Sequence, residues 1–264
     1  MLYALISPAK RLDFKPQPGI KTTQPALLKD TAILAARAKT LSKTQIQKLM
    51  DISPALAQLN YDRYQSFDPA NRGETKAAIY TFAGDVYMGF VAKTMSKEDV
   101  AYAQDHVGIL SGLYGLLRPL DAIQAYRLEM GSALKNERGK DLHAFWREHL
   151  TDHVNTIVGK LKNPTIVNLA SAEYFGAVDA SRLKAPVIAA NFVEVKNGKV
   201  SAPTFFLKKA RGMMARAIVE NRWQTPEQMK GFDTAGYAYD EKRSTETMMV
   251  FSRTAPKVGV TARF

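Results

Sequence analysis

The sequence predicts one compact mixed domain of the α+β class that spans residues 1–264. The chain has 264 residues, of which 46% are hydrophobic. That is enough for a substantial core and too apolar for a disordered chain. Candidate helices outnumber candidate strands along the chain, and the two do not alternate regularly. Regular alternation would favour a doubly wound parallel sheet, so its absence favours α+β.

Runs rich in β-branched and apolar residues predict the strands. They are Leu2–Ile6, Thr165–Leu169, Val187–Val195 and Val200–Phe206. Asn197-Gly198 lies between the last two runs and predicts a tight hairpin, because both residue types accept a positive φ angle. A later pair of runs, Gly236–Tyr239 and Thr247–Phe251, predicts a second hairpin.

Helical periodicity and capping residues predict seven helices. They are Ala26–Lys39, Lys43–Met50, Pro54–Tyr64, Lys76–Tyr80, Lys97–His106, Leu142–Lys160 and Lys208–Trp223. The second and third have the clearest boundaries. Ser42 and Gln45 form a capping box, and Ser53 caps a helix that has Pro54 at its first position. Residues 41–64 therefore predict two helices joined by a very short turn.

The spacing within residues 41–64 resembles the helix-hairpin-helix of DNA-repair proteins. The matching positions are Leu49, Ile52, Pro54 and Ala57. Asp51 and Ser53 stand where that motif usually has glycines. Glycine lets backbone N–H groups approach a phosphate, whereas Asp51 adds a repelling charge. The alternative is an ordinary pair of helices that packs against the core.

Phosphate contacts from the hairpin would come from its polar and basic side chains. These candidates are Lys43, Lys48, Ser53 and Arg63. A second candidate surface is the helix that begins at Lys208. At about 100° per residue, Met213, Met214 and Ile218 share one arc. The opposite arc carries Lys208, Lys209, Arg211, Arg216 and Arg222. A solvated helix face is the alternative to a phosphate-binding one.

Charge is the strongest bulk property of the chain. Lys and Arg exceed Asp and Glu by 12, and the pI is near 9.7. Such an excess attracts polyanions, of which nucleic acid is the commonest, although a generic basic surface would look the same. No apolar run reaches the ~20 residues of a membrane span, and the first residues lack the basic front of a signal peptide. We therefore expect a cytoplasmic protein that has no contact with a membrane.

Cofactor and metal signals are weak. The chain has no cysteine, which excludes disulfides and thiolate ligands. His149 and His153 lie four apart on a predicted helix, but the adjacent Glu148 points about 100° away from them. No phosphate-binding Walker loop or dinucleotide fingerprint is present. We predict no metal and no cofactor.

The segment "LSGLYGLLRPLDAIQAYRLEMG", residues 110–131, combines glycines, leucines and charges. Arg127 and Glu129 alternate with apolar residues, which places both charges on one side of an extended chain. Because buried charges need partners, we interpret the segment as the wall of a cleft with a polar network at its base. The spacing is compatible with a structural network and with a catalytic one. The predicted network comprises Arg118, Asp121, Tyr126, Arg127, Glu129 and Tyr174.

Six segments together resemble the YaaA family of peroxide-stress-response proteins. They are "ISPAK" (Ile6–Lys10), "GDVYMG" (Gly84–Gly89), "LSGLYGLLRPLD" (Leu110–Asp121), "YRLEMG" (Tyr126–Gly131), "NLASAEYF" (Asn168–Phe175) and "KKARGMMARAIVENR" (Lys208–Arg222). They occur in the family's order and span nearly the whole chain.

The resemblance implies a cytoplasmic bacterial protein that protects DNA and protein from peroxide and is associated with lowered free iron. It also implies a single α+β domain of unusual topology, with a basic cleft and a helix-hairpin-helix that binds double-stranded DNA. We expect weak sequence specificity, because no base-reading module is evident.

The resemblance carries no established catalytic activity. The competing hypothesis is an enzyme that acts on a base or an abasic sugar of damaged nucleic acid. Lys10 would be its nucleophile, and Asp85, Glu129 or Glu173 would act as acid and base. A lysine attacks only when it is deprotonated, and nothing near Lys10 in the sequence clearly desolvates it.

Overall fold

A computed structural model describes residues 1–256. Its strands are β1 (Leu2–Ile6), β2 (Lys76–Ala77), β3 (Val107–Ser111), β4 (Gly115–Leu117), β5 (Ala122–Ile123), β6 (Thr165–Leu169), β7 (Val187–Lys196), β8 (Lys199–Ser201), β9 (Ala238–Tyr239) and β10 (Met248–Thr254). Its α-helices are α1 (Leu28–Lys39), α2 (Lys43–Met50), α3 (Pro54–Ser66), α4 (Ala78–Thr81), α5 (Asp85–Phe90), α6 (Lys97–His106), α7 (Leu142–Val158), α8 (Ala172–Phe175), α9 (Thr204–Glu220) and α10 (Pro226–Met229).

Within residues 1–256, the main sheet has eight strands, in the order β4-β3-β1-β6-β7-β10-β9, with β8 paired to β7. The five strands β3, β1, β6, β7 and β10 are parallel to one another. The flanking pairs β3–β4, β7–β8 and β10–β9 are antiparallel. Strands β2 and β5 form a separate antiparallel pair. The domain is thus a single mixed α/β unit with a mostly parallel sheet.

The argument against a parallel sheet is therefore wrong. Numbered by their own order in the chain, the parallel strands run 2-1-3-4-5 across the sheet, which is a doubly wound strand order. The sequence hid this order because β3 follows α6 without a turn and is fully buried. A strand buried on both faces shows no alternation of polar and apolar residues and looks like a continuation of an apolar helix.

Most local predictions agree with the structure. β1 and β6 have the predicted bounds, and so do α2 and α6. The hairpin between β7 and β8 turns at Asn197 and Gly198, whose φ angles are 50° and 75°. The pairing of β9 with β10 confirms the second hairpin.

Two predicted elements change type. The strand predicted over Val200–Phe206 ends at Ser201, and α9 begins at Thr204 directly after Pro203. The helix predicted over Lys76–Tyr80 starts two residues late, because Lys76 and Ala77 pair with β5. In both places tertiary pairing or packing overrides the local propensity.

Helices α5 and α9 cross at very close range. A Cβ atom at Gly89 would overlap the backbone of Lys209, and one at Gly212 would overlap the backbone of Val86. Only glycine permits this approach. α9 also packs against β1, β6 and β7, so the crossing fixes α5 beside the carboxyl ends of the central strands. None of the helices described within residues 1–256 is both long and apolar enough to cross a bilayer.

Candidate functional site

A cavity of about 410 Å³ lies where β1 and β6 end. Ser7 directly follows β1, and Ser171 follows β6 by two residues. The backbone N–H of Ser171 donates to the Ser7 hydroxyl at 2.9 Å, and the two hydroxyl oxygens are 3.5 Å apart. β1 pairs with β3 on one side and with β6 on the other, so the chain changes direction across the sheet here. Parallel sheets bind ligands at this kind of position.

Four cationic side chains line the cavity: Lys10, Arg11, Lys208 and Arg211. Arg11 donates from Nε to the carbonyl oxygen of Ala83 at 2.8 Å. Within residues 1–256, neither Lys208 nor Arg211 forms an ion pair. The Nε atom of Arg211 is buried without a hydrogen-bond acceptor, and burial lowers the pKa of this guanidinium. A desolvated cation without an acid beside it is well suited to bind an anion.

Two carboxylates also line the cavity, Asp85 and Glu173. Glu173 accepts a hydrogen bond from the backbone N–H of Gly131 at 3.0 Å. The carboxylate of Asp85, at the first position of α5, has no hydrogen-bond or ion-pair partner among the described residues. The cavity therefore presents unpaired groups of both signs.

Glu129 joins Lys10 to Arg127. Its Oε1 atom lies 3.0 Å from Lys10 Nζ and 2.9 Å from Arg127 Nη2, while its Oε2 atom is buried without a partner. Burial opposes ionisation, but hydrogen bonds from Arg127 and Lys10 outweigh it and hold the pKa of Glu129 below its usual range. Lys10 remains two-thirds exposed, with 66% of its side chain accessible. Lys10 lines both the cavity and a smaller pocket, and Arg127 and Glu129 line the smaller pocket.

The predicted tyrosines Tyr126 and Tyr174 line that smaller pocket. Tyr126 and Ser111 share a hydrogen bond of 2.6 Å between their hydroxyls. Burial raises the pKa of both tyrosines, so each is a neutral hydroxyl. The structure thus brings together Lys10, Asp85, Tyr126, Arg127, Glu129, Glu173, Tyr174, Lys208 and Arg211.

The other two members of the predicted network lie elsewhere, which corrects the idea of one network. Asp121 is buried and accepts hydrogen bonds from the Thr23 hydroxyl at 2.6 Å and the Arg118 backbone N–H at 2.8 Å. The strand pairing explains the separation. Leu117 lies opposite Ile109, so Arg118 leaves the sheet toward the amino end of β3. The cavity is at the carboxyl ends of the strands.

The helices α2 and α3 form the predicted close pair. Ser42 and Ser53 cap them as expected. Asp51 has a left-handed backbone with φ of 47°, the conformation that glycine adopts most easily. Lys43 and Lys48 are both exposed, and the Lys43 ammonium lies 5.3 Å from the centre of the Tyr61 ring. Arg63 is half-buried, bonds to Asn60 and has a pKa lowered by burial. Contact between this hairpin and DNA stays a prediction.

The cations of α9 do not share one environment, although the helical spacing places them on a single arc. Arg216 donates to the carbonyl oxygens of Phe90 and Val91 and pairs with Glu220 at 2.7 Å. It ties α9 to the end of α5. Arg222 lies beyond the helix and pairs with Asp99 at 2.7 Å. Lys209 is half-buried.

No group of three or more His, Asp or Glu side chains within residues 1–256 is arranged to hold a metal ion. His149 instead faces Asp30, with Nδ1 3.5 Å from its carboxylate. Sequence reasoning missed Ser7, Arg11 and Ser171 as site residues. The sequence feature that could have indicated the two serines is their position just after a strand, in the segments "ISPAK" and "NLASAEYF".

Comparison with known proteins gives a consistent result over almost the full chain. The family described as "Peroxide stress protein YaaA" matches residues 1–243. A UPF0246 protein of Marinomonas sp. (strain MWYL1) is 48% identical over 251 residues, covering 94% of this chain and 96% of its own. UPF0246 proteins of Polynucleobacter asymbioticus and Caulobacter vibrioides are each 47% identical, covering 96% of this chain and 99% of theirs. The chain therefore belongs to the family of the peroxide stress protein YaaA.

Proposed function

We propose that this protein binds double-stranded DNA with weak sequence specificity as part of the bacterial peroxide-stress response. One observation carries the proposal: Lys208 and Arg211 line the cavity at the sheet's carboxyl edge without an acidic partner among the described residues. Lys10 and Arg11 extend this cationic lining. Phosphate oxygens of a DNA backbone are the polyanionic partner that such a lining and a net charge of +12 favour.

The α2–α3 hairpin is the second proposed contact. Lys48 is exposed, and the caps Ser42 and Ser53 leave the two helices separated by only three residues. Because Asp51 is left-handed and negatively charged, we expect Asp51→Gly to relax the turn and ease phosphate approach. Tighter DNA binding by this variant supports the hairpin contact, and weaker binding rejects it.

A salt titration tests the proposal directly. Fluorescence anisotropy would measure the affinity for several unrelated duplexes between about 50 and about 200 mM salt. We expect similar affinity for every sequence and a steep negative slope of log affinity against log salt. A flat slope, or no binding at the lowest salt, rejects a phosphate-tracking interface.

Charge-matched double variants locate the interface. Lys208→Met with Arg211→Met should make the salt slope shallower by about two units, since each phosphate contact contributes about one. Lys43→Met with Lys48→Met tests the hairpin in the same way. The control is Lys160→Met with Lys184→Met, which removes two exposed charges near the amino ends of β6 and β7. If the control weakens binding equally, the effect is one of net charge and not of a site.

We further propose that bound protein protects cytoplasmic DNA from peroxide damage and that this role accompanies lowered free iron. Nicking of a plasmid by peroxide and ferrous iron should fall when the protein saturates the DNA. The Lys208→Met and Arg211→Met double variant should protect less at equal concentration. Equal protection by both proteins would point to an effect independent of DNA binding.

The second candidate function is an enzyme acting on damaged DNA, favoured by the position of Lys10 beside the cavity with Asp85 and Glu173. Its amine would add to the aldehyde carbon of an abasic sugar, and loss of water would give an imine that borohydride reduces to a stable adduct. The Lys10 side chain is two-thirds exposed and forms an ion pair with Glu129, so the structure shows no desolvation that would activate it. We therefore expect no adduct. An adduct on abasic DNA that Lys10→Ala abolishes would reverse this ranking.

A further inference from the structure

Two unpaired groups of opposite charge face the same cavity. Arg211 projects from α9 and Asp85 from the start of α5, and the structure gives neither of them an ion-pair partner among residues 1–256. They do not pair with each other. Half-buried charges without partners are unfavourable unless a ligand or water forms hydrogen bonds or an ion pair with them. To pair with both Arg211 and Asp85, a ligand must carry an anionic group at one end and hydrogen-bond donors at the other.

The wall beside Arg211 has the composition of a phosphate site. Lys208 supplies a second positive charge, and the hydroxyls of Ser7 and Ser171 lie 3.5 Å apart at the strand ends. The planar guanidinium of arginine binds two phosphate oxygens at once, which an ammonium group does not. The Nε atom of Arg211 is buried without a hydrogen-bond acceptor, and this burial lowers the pKa of the guanidinium.

The wall beside Asp85 is suited to the rest of a nucleotide. Carboxylates accept hydrogen bonds from sugar hydroxyls and from amino groups of bases. Tyr174 lines the same cavity and supplies an aromatic surface, on which bases commonly stack. The volume of about 410 Å³ lies within the range of ~300–1,000 Å³ typical of small-molecule sites.

We propose that the cavity binds one nucleoside phosphate, with the phosphate at Arg211 and Lys208 and a donor of the base or sugar at Asp85. This inference rests on the proposed function where the nucleotide is part of DNA and has turned out of the duplex. A free mononucleotide has the same chemistry and is the other source. Turning a nucleotide out is easiest where its base pair is already broken.

Calorimetry with free ligands tests the pocket without DNA. The probes are a deoxynucleoside monophosphate, the corresponding deoxynucleoside and inorganic phosphate. We expect the monophosphate to bind roughly tenfold more tightly than either part. Arg211→Met should weaken binding of the monophosphate and of phosphate by roughly tenfold or more, because a charged hydrogen-bonding group is lost. Asp85→Asn should weaken binding of the monophosphate alone.

Arg211→Lys is a second variant in case Arg211→Met does not fold. It keeps the charge and removes the planar fork, so it should bind phosphate more weakly while retaining a native melting temperature. Lys160→Met is the control for net charge. Equal binding of all three probes by every variant overturns the pocket.

A second arm uses duplexes that carry 2-aminopurine, whose fluorescence rises when the base leaves the stack. One duplex pairs it with thymine, and the other places it opposite an abasic site. We expect preferential binding and a larger fluorescence rise for the second duplex, and the preference ratio should fall toward one in Asp85→Asn. Binding of the monophosphate without this preference assigns the pocket to free nucleotides. Preference without binding of the monophosphate assigns it to a nucleotide within DNA.

Different experimental results would overturn the nucleotide pocket and the proposed DNA binding. Steep salt-dependent binding of paired duplexes, with no preference and no binding of the monophosphate, overturns the pocket and leaves DNA binding intact. Binding of the monophosphate with no duplex binding at any salt overturns DNA binding and leaves the pocket.

Discussion

Two acid–base pairs from one short segment have opposite environments. Asp121 with Arg118 and Glu129 with Arg127 combine the same kinds of side chain only a few residues apart. Asp121 is 1% exposed, and burial outweighs its hydrogen bonds, so its pKa is raised. Burial also opposes ionisation of Glu129, but two cations outweigh it and the pKa is lowered. The number of charged partners and the exposure of the carboxylate, not the residue type, set the direction of the pKa shift.

This difference indicates that the Asp121–Arg118 pair has a structural role, whereas the Glu129–Arg127 pair belongs to the candidate site. Asp121 joins Thr23 and the backbone of Arg118 and faces no cavity described here, so its role is to hold the chain after β4. Glu129 contacts the cavity lining through its ion pair with Lys10, whose side chain is two-thirds exposed. Changes at Asp121 should therefore affect folding, and changes at Glu129 should affect ligands as well.

The largest expected effect is on stability, from Asp121→Asn. The amide would place a donor against the donors that now bond to the carboxylate, and its partners cannot reach water easily. We expect a loss of about 3 kcal/mol in the free energy of unfolding, measured by urea denaturation. The salt slope of DNA binding should not change. A loss below about 1 kcal/mol would show that Asp121 contributes no more to stability than a solvent-exposed ion pair does.

Glu129→Gln should have a smaller effect on stability than Asp121→Asn and, unlike Asp121→Asn, should change DNA binding. We expect a loss of about 2 kcal/mol, because Arg127 loses its charged partner while Lys10 turns to solvent. Removing the carboxylate leaves Lys10 at the cavity and Arg127 at the smaller pocket without their anionic partner, so DNA should bind more tightly and with a steeper salt slope. The control is Glu173→Gln, an exposed acid of the same cavity. Weaker DNA binding by Glu129→Gln would show that Glu129 orders Lys10 for contact.

The two carboxylates should also differ in how stability depends on pH. The raised pKa of Asp121 means that the folded state holds its proton longer, so this contribution is present at low pH and declines as pH rises through the folded pKa. The lowered pKa of Glu129 gives a contribution that is present above the unfolded pKa and is lost as pH falls through the folded pKa.

Unfolding free energies of the wild type, Asp121→Asn and Glu129→Gln across the acidic range measure this contrast. The difference between wild type and Asp121→Asn should shrink as pH rises, whereas the difference for Glu129→Gln should grow. Parallel curves would show that neither carboxylate titrates differently in the folded state.

The smallest effect is expected from Lys10→Met. An ion pair with so exposed a lysine contributes roughly 0–1 kcal/mol, so the melting temperature should barely move. The salt slope of DNA binding should become shallower by about one unit if Lys10 contacts a phosphate. The same two measurements on Arg11→Met give a comparison with the neighbouring cation of the cavity. A large loss of stability in Lys10→Met would place Lys10 with the structural pair instead.

Local sequence patterns determined much of this protein. The capping box at Ser42, the Ser53 cap before Pro54 and the left-handed Asn197-Gly198 turn are set by side chains that bond to their own nearby backbone. Alternation of Arg127 and Glu129 placed them on one side, and they do pair. Six segments also sufficed to indicate the family, which the comparisons confirmed.

Tertiary structure alone decided the sheet order and the membership of the site. β3 gave no local signal because it is buried on both faces, and without it the parallel order was hidden. The antiparallel return through β4 then sent Arg118 and Asp121 away from the cavity, although they are close in sequence to Glu129. The crossing at Gly89 and Gly212 placed Lys208 and Arg211 at the cavity while Arg216 became an internal tie. Contacts between residues distant in sequence depend on where whole elements pack, and a local pattern does not contain that information.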